Sequence, residues 1–218
     1  FRTMKYGQPI IECVPNFSEG RNPVVIEAIS RAIDSAAGVT LMHVDPGADA
    51  NRTVMTFAGV PEAVVKAAFK AIRVAAKKID MRVQSGQHPR IGATDVCPLI
   101  PVANISMEEV VALAHQLGKK VGSELGIPVF MYEASARIPE RKNLAHIRKG
   151  EYEGLEEKLR DPHWKPDYGP YGFNAEAGAT VIGARDFLLA YNVNLNTTSV
   201  PLAKAIAAQV RESGRTVI

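Results

Sequence analysis

The chain has 218 residues, 46% hydrophobic and 22% charged, a length and balance that supply a buried core for one large domain or two small ones. Lysine and arginine number 26 against 23 acidic residues, and the net charge of +3 is spread along the chain. That distribution argues against nucleic acid as a partner and leaves room for local positive pockets suited to an anionic small molecule. No stretch has the apolar length of a membrane span, and the first residues lack a signal-peptide pattern. Cys13 and Cys97 lie in apolar runs far apart in sequence, so buried free thiols, a cytoplasmic location and no membrane partner are expected. Met4 reads as the natural start, with Phe1, Arg2 and Thr3 added ahead of it, and the sequons at Asn51 and Asn196 are then without consequence.

A short β-branched strand is expected at 9–14, followed by a turn-rich stretch at 15–20. Pro23 suits the first helical position, and Ile26, Ile29, Ala32 and Ile33 keep one face apolar until Gly38. Strands at 39–44 and 53–58 flank a polar loop. Pro61 opens the clearest helix, in which Val65, Ala68, Ile72, Ala75 and Ile79 form a stripe while Lys66, Lys70, Arg73 and Lys77 lie elsewhere. A polar, glycine-containing stretch at 85–94 leads into a strand at 95–100 that Pro98 weakens or confines to a sheet edge. Ser106 and Glu109 form a capping-box signature for a helix carrying Val110, Leu113, Ala114, Leu117 and Val121, ended by Gly126 and Pro128. A strand at 128–132 follows.

Beyond Ala134 come charged helical pieces at 141–148 and 152–159, then a long stretch at 161–178 whose Trp164, Tyr168, Tyr171 and Phe173 argue against disorder. Strands at 180–182 and 187–194 and an amphipathic helix at 200–210 close the sequence and read as the start of a second subdomain. Strands and helices mix without strict alternation. The expected class is therefore α+β, a mixed β-sheet layered with α-helices in ferredoxin-like subdomains, rather than a doubly wound parallel sheet.

Dinucleotide-binding, phosphate-loop, zinc-protease and nucleophile-elbow signatures are absent. Among the five histidines, His88 stands out because it sits in a polar loop before a strand, where an imidazole can be presented in a cleft for proton transfer. A solvated loop histidine fits the same spacing. His43, alternating with Leu41 and Val44, reads as a core residue, and His115, His146 and His163 read as surface or packing residues. A metal set of His43, Asp45, His88 and Asp95 is the weaker reading because the separations are long. Asp45 and Arg52 bracket a loop in which they either orient a ligand or cap a turn. The run Gly169-Pro170-Tyr171-Gly172-Phe173-Asn174-Ala175-Glu176-Ala177-Gly178 offers close backbone approach and flat faces for a heteroaromatic ring, and equally suits a linker.

Four blocks carry a family resemblance: Glu12-Cys13-Val14-Pro15-Asn16-Phe17-Ser18-Glu19-Gly20, Asn51-Arg52-Thr53-Val54, His88-Pro89-Arg90-Ile91-Gly92-Ala93-Thr94-Asp95-Val96-Cys97-Pro98 and Gly178-Ala179-Thr180-Val181-Ile182-Gly183-Ala184-Arg185. In these the chain resembles the formiminotransferase domain of glutamate formiminotransferases, which occur alone or fused to a cyclodeaminase. The resemblance implies transfer of a formimino group from N-formimino-glutamate to tetrahydrofolate as co-substrate, a late step of histidine breakdown, with no metal. It implies that His88 is the catalytic residue and that residues 169–178 bind folate. It divides the chain into an N-terminal subdomain at 4–177 and an incomplete C-terminal one at 178–218. Supporting roles fall to Asp45, which would hold the His88 tautomer, and to Arg52, Arg90 and Arg185, which would bind substrate carboxylates. The partners implied are small molecules and, through apolar surface on the unfinished subdomain, a homodimer. Processing of 5-formyl-tetrahydrofolate and a catalytically silent folate-binding module are the alternatives.

Overall fold

The computed structural model describes residues 7–188, 193 and 195–210. The chain divides into a unit of residues 1–186 and a second of residues 187–218. Within the first unit the described strands, seven in all, form one mixed sheet. β1 (Ile10–Cys13) and β2 (Asn16–Phe17) are two halves of one central strand, since both pair antiparallel with β4 (Arg52–Gly59) on one side and β5 (Thr94–Ala103) on the other. β3 (Val39–Gly47) completes that side by pairing with β4. With α1 (Pro23–Asp34) and α2 (Pro61–Lys78) as the crossovers, the order β3, β4, β1, β5 is the split βαβ arrangement of a ferredoxin-like unit. After β5 the chain passes through α3 (Met107–Leu125) to β6 (Val129–Glu133), and later to β7 (Thr180–Ala184). β7 inserts between β5 and β6, parallel to both.

The expected α+β class is thus observed, with two local corrections. The strand around Thr180 does not open a second subdomain. It is buried throughout and lies inside the main sheet, so the division of the chain falls after Asp186 rather than after Ala177. Pro98 lies on an interior strand and not at an edge, because its missing N–H faces the break between β1 and β2, where the Val14 N–H donates to the Pro98 carbonyl at 3.3 Å.

Helices α1, α2 and α3 cover one face. Ile29 and Ile33 of α1, Ala68 and Ile72 of α2, and Leu117 and Val121 of α3 pack on Ile11, Phe57, Leu99 and Met131 of the sheet. Local sequence sets each helix end. Asn22 accepts from the Val24 and Val25 N–H groups ahead of Pro23, and Ser106 and Glu109 close the expected capping box. Gly126 ends α3 at φ +63°, a left-handed position that favours glycine.

Among the described residues of this unit, the other face is covered over β5, β6 and β7, by α4 (Leu144–Arg148) and α5 (Leu155–Lys158), where Ile147, Leu155 and the following Leu159 pack on Val96, Phe130, Tyr132 and Val181. Over β1, β3 and β4 the described residues of this unit leave this face partly open. β4 alternates strictly, with Thr53, Met55 and Phe57 buried toward the helices and Arg52, Val54 and Thr56 half-buried on the open side. His43 is exposed and not a core residue. A bulge between Leu41 and His43 breaks the alternation of β3, which has no partner beyond β4 among the described strands.

In the second unit the described helix is α6 (Val200–Val210), at the bounds expected, with no buried residue. The strand expected at 187–194 falls mostly outside the described residues. No described helix is long and apolar enough to cross a membrane.

Candidate functional site

The loop between α2 and β5 brings His88 to the open half of the sheet. Two loops meet there. Gly92 bridges Gly178, Ala93 N–H donates to Ala177 O at 2.9 Å, and Ala179 N–H donates to Ile91 O at 2.9 Å. Gly178 is at φ +66°, and a Cβ there would lie 2.2 Å from Ile91 O, so only glycine fits this junction.

His88 is half-buried, and its Nε2 lies 2.7 Å from Arg52 Nη1, which also donates to Asn16 Oδ1 at 3.1 Å. A guanidinium only donates, so Nε2 is the acceptor and the imidazole is neutral, with its proton on Nδ1. Electrostatics agree. Burial, then the charges of Arg52 and Arg148, hold the His88 pKa down at about 4, against a hydrogen bond to the Pro89 backbone. Burial and Arg148 also lower the Arg52 pKa, with Asp45 and Asp95 opposing.

Beside these groups Asp95 pairs with Arg148 at the end of α4, and its Oδ1 accepts from Ile91 N–H at 3.1 Å. The register explains why the carboxylate is there. Phe17 pairs with Thr94 and Asn16 with Val96, so Asp95 is the extra residue of a β-bulge and its side chain escapes the normal alternation. Burial pushes the Asp95 carboxyl up, and the Arg148 ion pair pulls it back. Arg148 carried no signal in the sequence, because it lies 60 residues beyond His88 in a short charged helix. Asp95 entered only as a metal-ligand candidate.

The other expected site residues divide. Asp45 is exposed and acts on Arg52 by charge, and no described contact joins it to His88. Arg90 does not offer a free fork. All five of its N–H donors, a full complement, are committed to Gln84, Glu151 and Glu153 at 2.6–3.3 Å, which fixes the His88 loop from beneath. Arg185 lies at the other end of the strands, where its N–H donates to Leu99 O. Leu99 is four residues beyond Asp95, about 13 Å at ~3.3 Å per residue. There burial raises the Glu12 pKa and the charge of Arg185 opposes the rise. His43 is exposed and Asp95 is taken by Arg148, so the four-residue metal set does not assemble. Among the described residues no group of three or more His, Cys, Asp or Glu side chains could hold a metal ion.

Residues 169–178 run from α3 to the His88 loop. A Cβ on Gly122 would strike Gly169 N at 2.4 Å, so the segment starts against the helix backbone. Asn174 then bonds Gly126 O and Ala177 N–H, and Ala175 O accepts from the Tyr152 hydroxyl at 2.6 Å. Pro170, Gly172, Phe173, Asn174 and Glu176 line an open hollow of about 440 Å³ with Arg82, while Tyr171 is half exposed. Cys13 and Cys97 are buried free thiols, as expected, although their sulfurs lie only 3.5 Å apart.

A neutral imidazole held among guanidiniums on the open side of a ferredoxin-like α+β sandwich is a candidate acid–base site whose charge would attract an anionic small molecule. The chain belongs to the formiminotransferase domain family: residues 10–185 match its N-terminal subdomain. It is 53% identical over 206 residues to the formimidoyltransferase-cyclodeaminase of Dictyostelium discoideum and 55% identical over 206 residues to that of Gallus gallus, in each case covering 94% of this chain and 38% of the relative. It is 46% identical over 205 residues to the glutamate formimidoyltransferase of Streptococcus pyogenes serotype M1, covering 94% of this chain and 69% of the relative. The chain thus spans 38% of the length of the two bifunctional relatives.

Proposed function

We propose that this chain carries the catalytic face of a glutamate formimidoyltransferase, moving the formimino group of N-formimino-L-glutamate to N5 of tetrahydrofolate. Family membership and the names of its relatives support the reaction. The observation that carries the residue assignment is the neutral His88 imidazole, its Nε2 unprotonated and placed on the open face of the sheet. N5 attacks the formimino carbon, and His88 takes the N5 proton as the new C–N bond forms. The bond from the formimino carbon to the glutamate nitrogen then breaks, and the imidazolium returns the proton to that nitrogen. The products are L-glutamate and 5-formimino-tetrahydrofolate, with atoms and charge in balance. Arg52 serves a substrate carboxylate, and the 169–178 segment serves the pterin, for which Phe173 and Tyr171 offer flat faces. Buried free thiols suit a reducing cytoplasmic setting, and a homodimer is the proposed assembly.

The test is glutamate release from N-formimino-glutamate with tetrahydrofolate, using the full-length protein. His88→Ala is expected to lower turnover by about 10²–10⁴-fold, the usual span for a lost general acid–base. Full turnover in that variant would sink the assignment. Release of no glutamate by wild-type protein that still binds tetrahydrofolate would favour a binding module instead.

A further inference from the structure

The face that presents His88 holds a second guanidinium for which the transfer chemistry has no stated use. Arg148 is 18% exposed, its Nη2 donates to Asp95, and its buried Nε has no partner. Nor does its Nη1 form a hydrogen bond among the described residues. Asp95 is 1% exposed and accepts from Arg148 and from the Ile91 N–H, one bond on each oxygen, so it tethers the Nη2 end of the guanidinium and leaves Nη1 to take another acceptor.

Arg52 is anchored beside it. Its Nη1 holds Asn16, and Asn16 pairs with Val96, the residue after Asp95, so the two cations are fastened at one level of neighbouring strands. The charges that act on His88 are Arg52 on β4 and Arg148 on α4, while buried Asp95 on β5 and exposed Asp45 on β3 act on Arg52. Two cations repel across this site, and the one buried carboxylate is already committed. The arrangement calls for a second anion.

We infer that a carboxylate of the donor binds between Arg52 and Arg148 and, by accepting the Arg52 Nη1–H that now caps His88 Nε2, frees the imidazole lone pair to act as base. The hydrogen bonds balance. Arg52 Nη1 has two N–H groups, one on Asn16 and one on His88, and a carboxylate has about four acceptor positions, enough for the second of these and for the unpaired Nη1 of Arg148. The donor is then selected as an acidic amino-acid derivative, and the base is released only when that donor is present. The identity of the donor rests on the transfer reading, whereas the anion site does not.

The experiment follows the His88 imidazole by NMR through a pH titration of the full-length protein, with glutarate as the anion probe and its uncharged diamide as control. Without ligand His88 is expected to titrate well below its ordinary value, at about 4, because burial and the charges of Arg52 and Arg148 disfavour the imidazolium. Saturating glutarate is expected to raise that midpoint by about one unit or more, through the opposite charge placed beside it, and the diamide to leave it in place. Arg148→Met could unfold the protein by stranding Asp95, so it is combined with Asp95→Asn to keep the local charge balanced. The pair should weaken glutarate binding about tenfold or more and flatten the shift, and should raise KM for the donor more than it lowers kcat. Arg148→Lys should restore part of the shift. A midpoint indifferent to glutarate, or moved equally in the double variant, overturns the inference. Anion-linked titration in a protein that releases no glutamate would overturn the transfer reading and leave the anion site standing.

Discussion

Breaking the Asp95–Arg148 pair from either side is the most direct test of how the site is held. The Asp95 side chain is 2% exposed and that of Arg148 is 18%. Removing one partner of such a pair typically costs about 3–5 kcal/mol, because the other charge stays buried without compensation. Arg148→Met strands the deeper group and belongs at the upper end, about 4–5 kcal/mol. Asp95→Asn strands a guanidinium that still reaches water and belongs at about 3 kcal/mol. The double variant replaces both charges and should lie within about 1–2 kcal/mol of wild type, giving a coupling energy of several kcal/mol. Urea denaturation at pH 7 measures all four corners of the cycle. Acid adds a check with a definite sign. Burial already raises the Asp95 carboxyl, and losing Arg148 removes its main opposing influence, so the Arg148→Met deficit should shrink as the pH falls and Asp95 takes up a proton. Single-variant effects that simply add, with a coupling below about 0.5 kcal/mol, would show that the pair does not hold this corner of the sheet.

Two further outcomes follow from the same geometry. His88 has a folded pKa of about 4 against an ordinary value of 6.5, so between those values the unfolded chain binds more protons. Its contribution is fully present above pH 6.5 and is lost as the pH falls to about 4. A His88→Asn protein should lack that step in a plot of unfolding free energy against pH, and identical curves would refute the neutral, depressed imidazole. Gly178→Ala places a Cβ 2.2 Å from Ile91 O at a backbone φ of +66°. Strain of ~1–2 kcal/mol from the left-handed backbone plus the clash should lower stability by more than 2 kcal/mol, and a change under about 0.5 kcal/mol in urea denaturation would show that the two loops are not locked there.

The ferredoxin-like half was legible because each of its signals is local. The apolar stripe of α2, the capping box at Ser106 and the glycine at position 126 each act within one or two helical turns. The misplaced features all depend on partners distant in sequence. Pro98 reads as an edge residue until β1 and β2 prove to be one strand broken opposite it. The strand expected at 180–182 reads as the start of something new until it is seen to be buried between β5 and β6, which precede it in the chain. His43 alternates correctly with its neighbours, and a single bulged residue reverses its face.

The site divides along the same line. His88 could be named through the family blocks, since an imidazole in a polar loop before a strand fits a solvated residue as well as a proton carrier. Whether it works as a base is decided by groups that local sequence does not connect to it. Arg52 lies on another strand and Arg148 on a helix that the long 134–178 excursion folds back over the sheet. Arginines 90 and 185, by contrast, match the family blocks as well as Arg52 does, yet one is spent on Glu151 and Glu153 and the other stands at the far end of the strands. Residue type locates a charge, and only the sheet register says which charges share a site. Here it sets two guanidiniums and one committed carboxylate beside a neutral imidazole, an imbalance that an anionic substrate would correct.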